Sequence, residues 1–371
     1  MPRTLFLLSI LFSVNVVIAS WEEVAKQGTQ ARLTGDYDQA KLIERHLLEE
    51  AQYPIGHIFA LNTIITHLTW DETQKQYDKA IIHHTSEVMR WCEPRLDTEG
   101  FIAIANHYCG QAGFALSFYY GLKGSYLQAG QHGSRAIRRL EAALIADPTL
   151  TDAKLHLGIA YFIADNLPPF IKMFSRFLWF IPTGNSEKSL PYLIDVMTDG
   201  DEFPDVARYM YSTLMLMDDS TRPLAISELT YLANRYPKNS RFQLRLISAL
   251  LMQKNHAAAL AQAKSYLKHK PTESDLTLTL VWMVRANISL GSLLDAELLL
   301  DNIKPSAYES LPSWSLSWHL LSLAQLNDLR GQRDPAISTY GKILSMAESD
   351  YVDGIIVEAA KSGLVTPYKL K

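Results

Sequence analysis

With 371 residues, 48% of them apolar, and 35 basic against 39 acidic side chains, the chain carries a formal charge of −4. The slightly acidic balance lacks the basic stripe that nucleic acid favours and argues against that class of partner. A compact globule of this length would split into two domains, whereas a solenoid simply adds repeats, and no long alternating apolar-polar run marks a sheet.

Residues 1–20 read as a secretory signal peptide. Met1-Pro2-Arg3 supplies one positive charge, Thr4 to Ile18 is an apolar run, and Val17-Ile18-Ala19 ends in small residues before Ser20 and Trp21. An uncleaved anchor is the competing reading, but the run is short for a bilayer that needs about 20 apolar residues, and it contains Asn15. No cysteine follows the run, so a bacterial lipid anchor is not indicated. The expected destination is the periplasm of a Gram-negative bacterium.

From residue 22 onward a glycine is repeatedly followed, five residues later, by an alanine. The pairs are Gly35 and Ala40, Gly124 and Ala129, Gly291 and Ala296, and Gly331 and Ala336. Each lies between stretches of helical periodicity, which predicts helix, tight turn, helix. Glycine ends the first helix because it accepts a positive φ; alanine lets the second helix approach closely. Tyr77-Asp78-Lys79-Ala80 echoes Tyr37-Asp38-Gln39-Ala40, Gly184 leads to Ser189, and Ala225 and Ala259 open two more second helices. The markers at 40, 80, 129, 189, 225, 259, 296 and 336 are spaced 40, 49, 60, 36, 34, 37 and 40 apart.

Export permits a disulfide between Cys92 and Cys109. With the inter-helix loop centred near Asp97, however, the two lie roughly 10 Å out of step on antiparallel helices, against the Cα separation of about 4.4–6.8 Å that a bridge needs. The spacing therefore favours two buried thiols over a bond.

The widest interval contains a proline-bracketed segment, Leu167-Pro168-Pro169-Phe170 through Ile181-Pro182. Projected as a helix, Phe170, Ile171, Met173, Phe174, Phe177, Leu178, Phe180 and Ile181 make one broad apolar face, opposite Lys172, Ser175, Arg176 and Trp179. It is an inserted amphipathic helix too short to span a bilayer. Three readings stay open: a plug for the solenoid's own channel, an interfacial membrane helix, or a partner-docking helix, with Phe170, Phe174, Phe177 and Trp179 as contacts. At the other end, 350–364 is expected to be a capping helix using Ile355, Ile356, Ala359 and Ala360, with a frayed tail from Val365 to Lys371.

A period near 34 resembles the tetratricopeptide repeat. Pro237 and Pro271, each twelve residues beyond its alanine, fall where that family closes the second helix. Ala142-Ala143-Leu144-Ile145-Ala146-Asp147-Pro148 reads like its helix end, and Leu157, Gly158 and Tyr161 like the large, small and large contacts of its first helix. The resemblance covers roughly 22 to 345, with weak motifs in the second and third repeats. It implies an all-α helical solenoid, a right-handed superhelix of about eight helix-turn-helix repeats over 22–349, followed by the capping helix and tail over 350–371. The segment from Leu167 to Leu190 is also similar to a tetratricopeptide subfamily that includes the fungal inclusion-body-clearance proteins, although Asn185 replaces an aspartate and Ser189 a glycine of that motif.

Catalytic signatures are missing: no nucleophile elbow, zinc helix, phosphate loop or dinucleotide fingerprint occurs. Among eleven histidines only His83 and His84 are adjacent, and neighbours on a helix point about 100° apart, so neither metal nor cofactor is expected. The family's groove positions correspond here to His156, Tyr211, Arg241, Arg245, Arg285, Trp318 and Gln325. Arginines among aromatics suit an extended peptide with carboxylates; a core contact or inter-helix ion pair is the alternative at each position. The expected function is that of an exported, non-catalytic scaffold or adaptor for a protein or peptide. A peripheral membrane or lipid-associated protein using 168–182 is the alternative.

Overall fold

A computed structural model describes residues 20–51, 54–71, 74–165, 186–216, 218–303, 308, 311–349 and 352–370. The expected leader up to residue 19, and the insert with Phe170, Phe174, Phe177 and Trp179, lie outside the described residues.

The described residues form seventeen α-helices and no strand. They pair as α1 (Trp21–Thr34) with α2 (Tyr37–Glu50), α3 (Ile55–Trp70) with α4 (Asp78–Cys92), α5 (Ile102–Leu122) with α6 (Tyr126–Ala146), and α7 (Ala153–Asp165) with α8 (Ser186–Asp199). The series continues with α9 (Pro204–Met215) and α10 (Arg222–Arg235), α11 (Ser240–Met252) and α12 (His256–Leu267), α13 (Glu273–Ser289) and α14 (Leu293–Asp301), and α15 (Ser313–Leu329) and α16 (Arg333–Ser349). A seventeenth helix, α17 (Gly354–Val365), closes the stack. Each helix packs on the next, and first helices also touch, α1 with α3, α3 with α5, α5 with α7, and again from α11 through α13 and α15 to α17. This is an all-α solenoid of eight helical hairpins with a cap. None of the described helices is long and apolar enough to cross a membrane.

The turn glycines explain four of the hairpins, and a side-chain cap adds to the first. Gly35, Gly124, Gly291 and Gly331 hold φ of 85°, 70°, 76° and 74°, and the amide of Gly35 bonds back to α1. Asp36, immediately after, accepts from the amide of Gln39 and so caps α2. In the sixth repeat the glycine position falls on Lys254, which adopts φ 59° without a glycine's freedom, while Asn255 caps α12.

Five of the alanine markers, Ala40, Ala225, Ala259, Ala296 and Ala336, are buried at the helix contacts, as is Ser189. Ala80 and Ala129, in the repeats whose motifs are weak, are only partly covered. At the fourth repeat the backbones approach closely: a Cβ on Gly158 would stand 2.9 Å from the Ser189 carbonyl oxygen, and the Ser189 hydroxyl donates to the Gly158 carbonyl at 2.8 Å.

Two expectations fail. Cys92 and Cys109 form a disulfide, with their Cα atoms 5.8 Å apart. The expected offset of roughly 10 Å holds only for a tight reversal near Asp97. Instead a 3-10 turn over Glu93–Arg95 carries the chain onward, and α5 begins only at Ile102, so two turns of α5 bring Cys109 back level with Cys92. The tail is also not frayed. The amide of Tyr368 donates to Asp328 at 2.8 Å, and the same carboxylate accepts from Arg333 and from the Tyr340 hydroxyl. In the cap, Ile356 and Ala360 are buried as expected, whereas Ile355 is 65% exposed.

Candidate binding groove

The superhelix winds far enough for its beginning to meet its later repeats. Asn239 at the start of α11 accepts from the amides of Arg241 and Phe242 while its own amide group donates to the Leu33 carbonyl at 2.9 Å. One residue thus caps α11 and satisfies a carbonyl that the end of α1 leaves open. Thr29 on α1 donates to Glu202 at 2.8 Å in the loop before α9. From α3, the last carbonyl, that of Trp70, accepts the indole N–H of Trp314 at 3.1 Å, and Arg241 donates to the Thr66 carbonyl. A cation at that position complements the negative end of the α3 dipole.

The closure assembles a ladder of aromatic rings. Arg241 lies 5.0 Å over Trp70, Trp70 meets Trp314 edge-on at 5.4 Å, Trp314 stacks on Trp282 at 5.7 Å, Trp282 contacts Trp318 at 5.4 Å, and Arg285 lies 4.0 Å over Trp318. Burial lowers the Arg241 guanidinium from its ordinary pKa and brings that of Arg285 down to about 10; both stay cationic at neutral pH. Several buried polar atoms of the described residues lack partners, among them Nη1 of Arg285, Nε1 of Trp282 and the hydroxyl of Tyr308 in the ladder's cluster, and Nε of Arg245 on α11. Each can donate a hydrogen bond, and a buried donor left unmet costs about 1–3 kcal/mol. These donors lie in or near a packed cluster in which Trp282 is buried with Leu244, Leu278 and Leu311, and Trp70, Trp314 and Trp318 lie against it.

The structure separates the expected groove residues. Arg241, Arg285 and Trp318 belong to the ladder, and Arg245 and Gln325 sit half-buried on α11 and α15. His156 does not present itself to a groove: it is buried between Phe114 and Phe203, and desolvation, with His107 nearby, drops its pKa to about 3. Tyr211 packs partly buried against the core of Leu155 and Leu193. Both take the core-contact alternative. Trp70, Trp282 and Trp314 escaped the sequence reading because the family's register treats each repeat alone, whereas Trp70 reaches the groove only through superhelical closure. Their residue type was the one available signal, since four of the chain's seven tryptophans converge here.

The arrangement defines a class, an all-α solenoid of paired helices whose early and late repeats meet at an aromatic and cationic cluster. No protein-family model matches the sequence, and a search of curated proteins finds no match. Among solved structures the chain is similar to the crystal structure of yeast Tom70 at 13% identity, covering 93% of this chain and 96% of that one with a TM-score of 0.29. That superposition is too loose to bear on fold or partner.

Proposed function

We propose that the chain is an exported, tetratricopeptide-like scaffold that holds an extended, carboxylate-bearing protein or peptide segment along the inner face of its last three repeats, without catalysis. The observation that carries this reading is the set of unpartnered buried donors on Arg245, Trp282 and Arg285 beside the tryptophan ladder. Guanidinium groups take carboxylates in pairs of hydrogen bonds, and the rings give sequence-tolerant contact area. Export to the periplasm agrees with the Cys92–Cys109 disulfide, because such bonds persist in oxidising compartments.

A photo-crosslinking residue placed at Gln325, on the same face of α15 as Trp318, tests the reading in periplasmic extract. A reproducible adduct is expected, reduced by Arg285→Ala and not formed from the exposed Leu298 on α14. No adduct at Gln325, or equal labelling at Leu298, overturns it.

A further inference from the structure

The second repeat carries a cluster that neighbouring positions in the sequence do not reveal. His57 on α3 faces His83 and His84 on α4, and one ligand nitrogen from each of the three rings lies within 4.8 Å of the others. Ring centroids are 5.1 Å apart for His57 and His84, 5.8 Å for His57 and His83, and 5.2 Å for the adjacent pair. The Nδ1 atoms of His57 and His84 approach to 2.9 Å. At that distance both cannot carry a proton, so at least one bare imidazole nitrogen points into the cluster.

Adjacent histidines diverge along a helix, which is why the pair alone predicted no metal. The third ring, delivered across the α3 and α4 contact, closes the angle between them. His83 is exposed while His57 and His84 are half-buried, so an ion has a path from solvent to two anchored ligands. Glu87, one turn beyond His83 on the same helix and half-buried, is a carboxylate held by Arg90.

We propose that His57, His83 and His84 bind one divalent first-row transition ion, zinc or copper, with the fourth position left to water or Glu87. Neutral imidazoles suit these ions, whereas magnesium and calcium require oxygen donors. The ion joins the two helices of the second repeat. Its lower end is already fixed to the third repeat by the Cys92–Cys109 bond, and its upper helix carries Trp70 into the groove. The site thus braces the repeat that closes the superhelix.

The test uses untagged full chain, stripped with a chelator and titrated with Zn²⁺, then with Co²⁺ for its visible absorption. One equivalent should bind, with tetrahedral cobalt bands and a raised melting temperature, and Mg²⁺ should do neither. His83→Ala, at the exposed ring, leaves the core intact and should weaken binding by at least about tenfold; His57→Gln should do the same. If His57→Gln fails to fold, His83→Ala alone decides. Failure to bind Zn²⁺ at micromolar concentration, or unchanged affinity in His83→Ala, reduces the cluster to a hydrogen-bonded imidazole pair and overturns the proposal.

Discussion

Glu202 stands where α1 meets the loop ahead of α9, and its titration ties closure of the superhelix to pH. Its Oε1 accepts from Thr29, and its backbone amide donates to Asp152 at 2.9 Å. Burial raises the carboxyl pKa to about 7; the Thr29 hydrogen bond and Arg32 oppose the rise, while Asp152 and Asp201 add to it. Lys26, on the same side, is already paired with Asp201. A free glutamate titrates near about 4.3. The folded value is the higher one, so the native protein keeps a proton that the unfolded chain has released. Stability from this group is complete below about pH 4.3 and is lost as pH rises through about 7.

The gap of roughly 2.7 pH units corresponds to at most about 3.7 kcal/mol. Glu202→Gln stays neutral and keeps the acceptor for Thr29, so it escapes the loss. Histidines 84, 107 and 156, held by burial at about 4, 4 and 3, make both proteins lose stability below about pH 6.5, which is why the difference between variant and wild type is the informative quantity. Urea unfolding followed by tryptophan fluorescence should show the variant ahead of wild type by about 1 kcal/mol at pH 5 and by up to about 3.7 kcal/mol at pH 8.5. A difference that is flat, or that shrinks as pH rises, would refute the reasoning.

Lys254→Gly relieves a left-handed residue and should stabilise by about 0.5–1 kcal/mol, whereas Gly331→Ala, at φ 74° with open space around it, should cost about 1 kcal/mol; opposite shifts in melting temperature check the pair, and equal signs contradict it. Trp314→Phe keeps the ring contacts but leaves the Trp70 carbonyl unmet, which should lower stability by about 1–2 kcal/mol in urea unfolding; an unchanged midpoint means the closure contributes nothing there. Reducing the Cys92–Cys109 bond, which spans 17 residues, should cost about 3 kcal/mol. Thiol titration of the denatured, unreduced chain should find no free thiol, and two per chain would show that the bond does not form.

Local features were legible because they depend on few neighbours. A glycine with positive φ and an alanine at the helix contact are each fixed within six residues, so the order of the hairpins followed from Gly35 and Ala40 and their repeats. The errors came from distance in the chain. Placing Cys92 against Cys109 required knowing that a 3-10 turn extends α4 before the reversal, and placing His156 required knowing which side of α7 the Phe203 ring would cover.

Of the candidate sites, the arginine and tryptophan content of the groove could be read from the repeat register, but its composition was incomplete. Trp70 is a second-repeat residue lying 244 positions from the Trp314 that it meets, and no periodicity encodes how far a superhelix must turn to bring the two together. The same holds for His57, 27 residues from His84. The sequence by itself determined the helices, their pairing and the close contacts at five of the alanine markers, since these are set by backbone propensity and the size of one side chain. Only the tertiary structure decided what faces what across the superhelix, because small rotations between hairpins add up over many repeats, and their sum rather than any local signal fixes the groove and the histidine cluster.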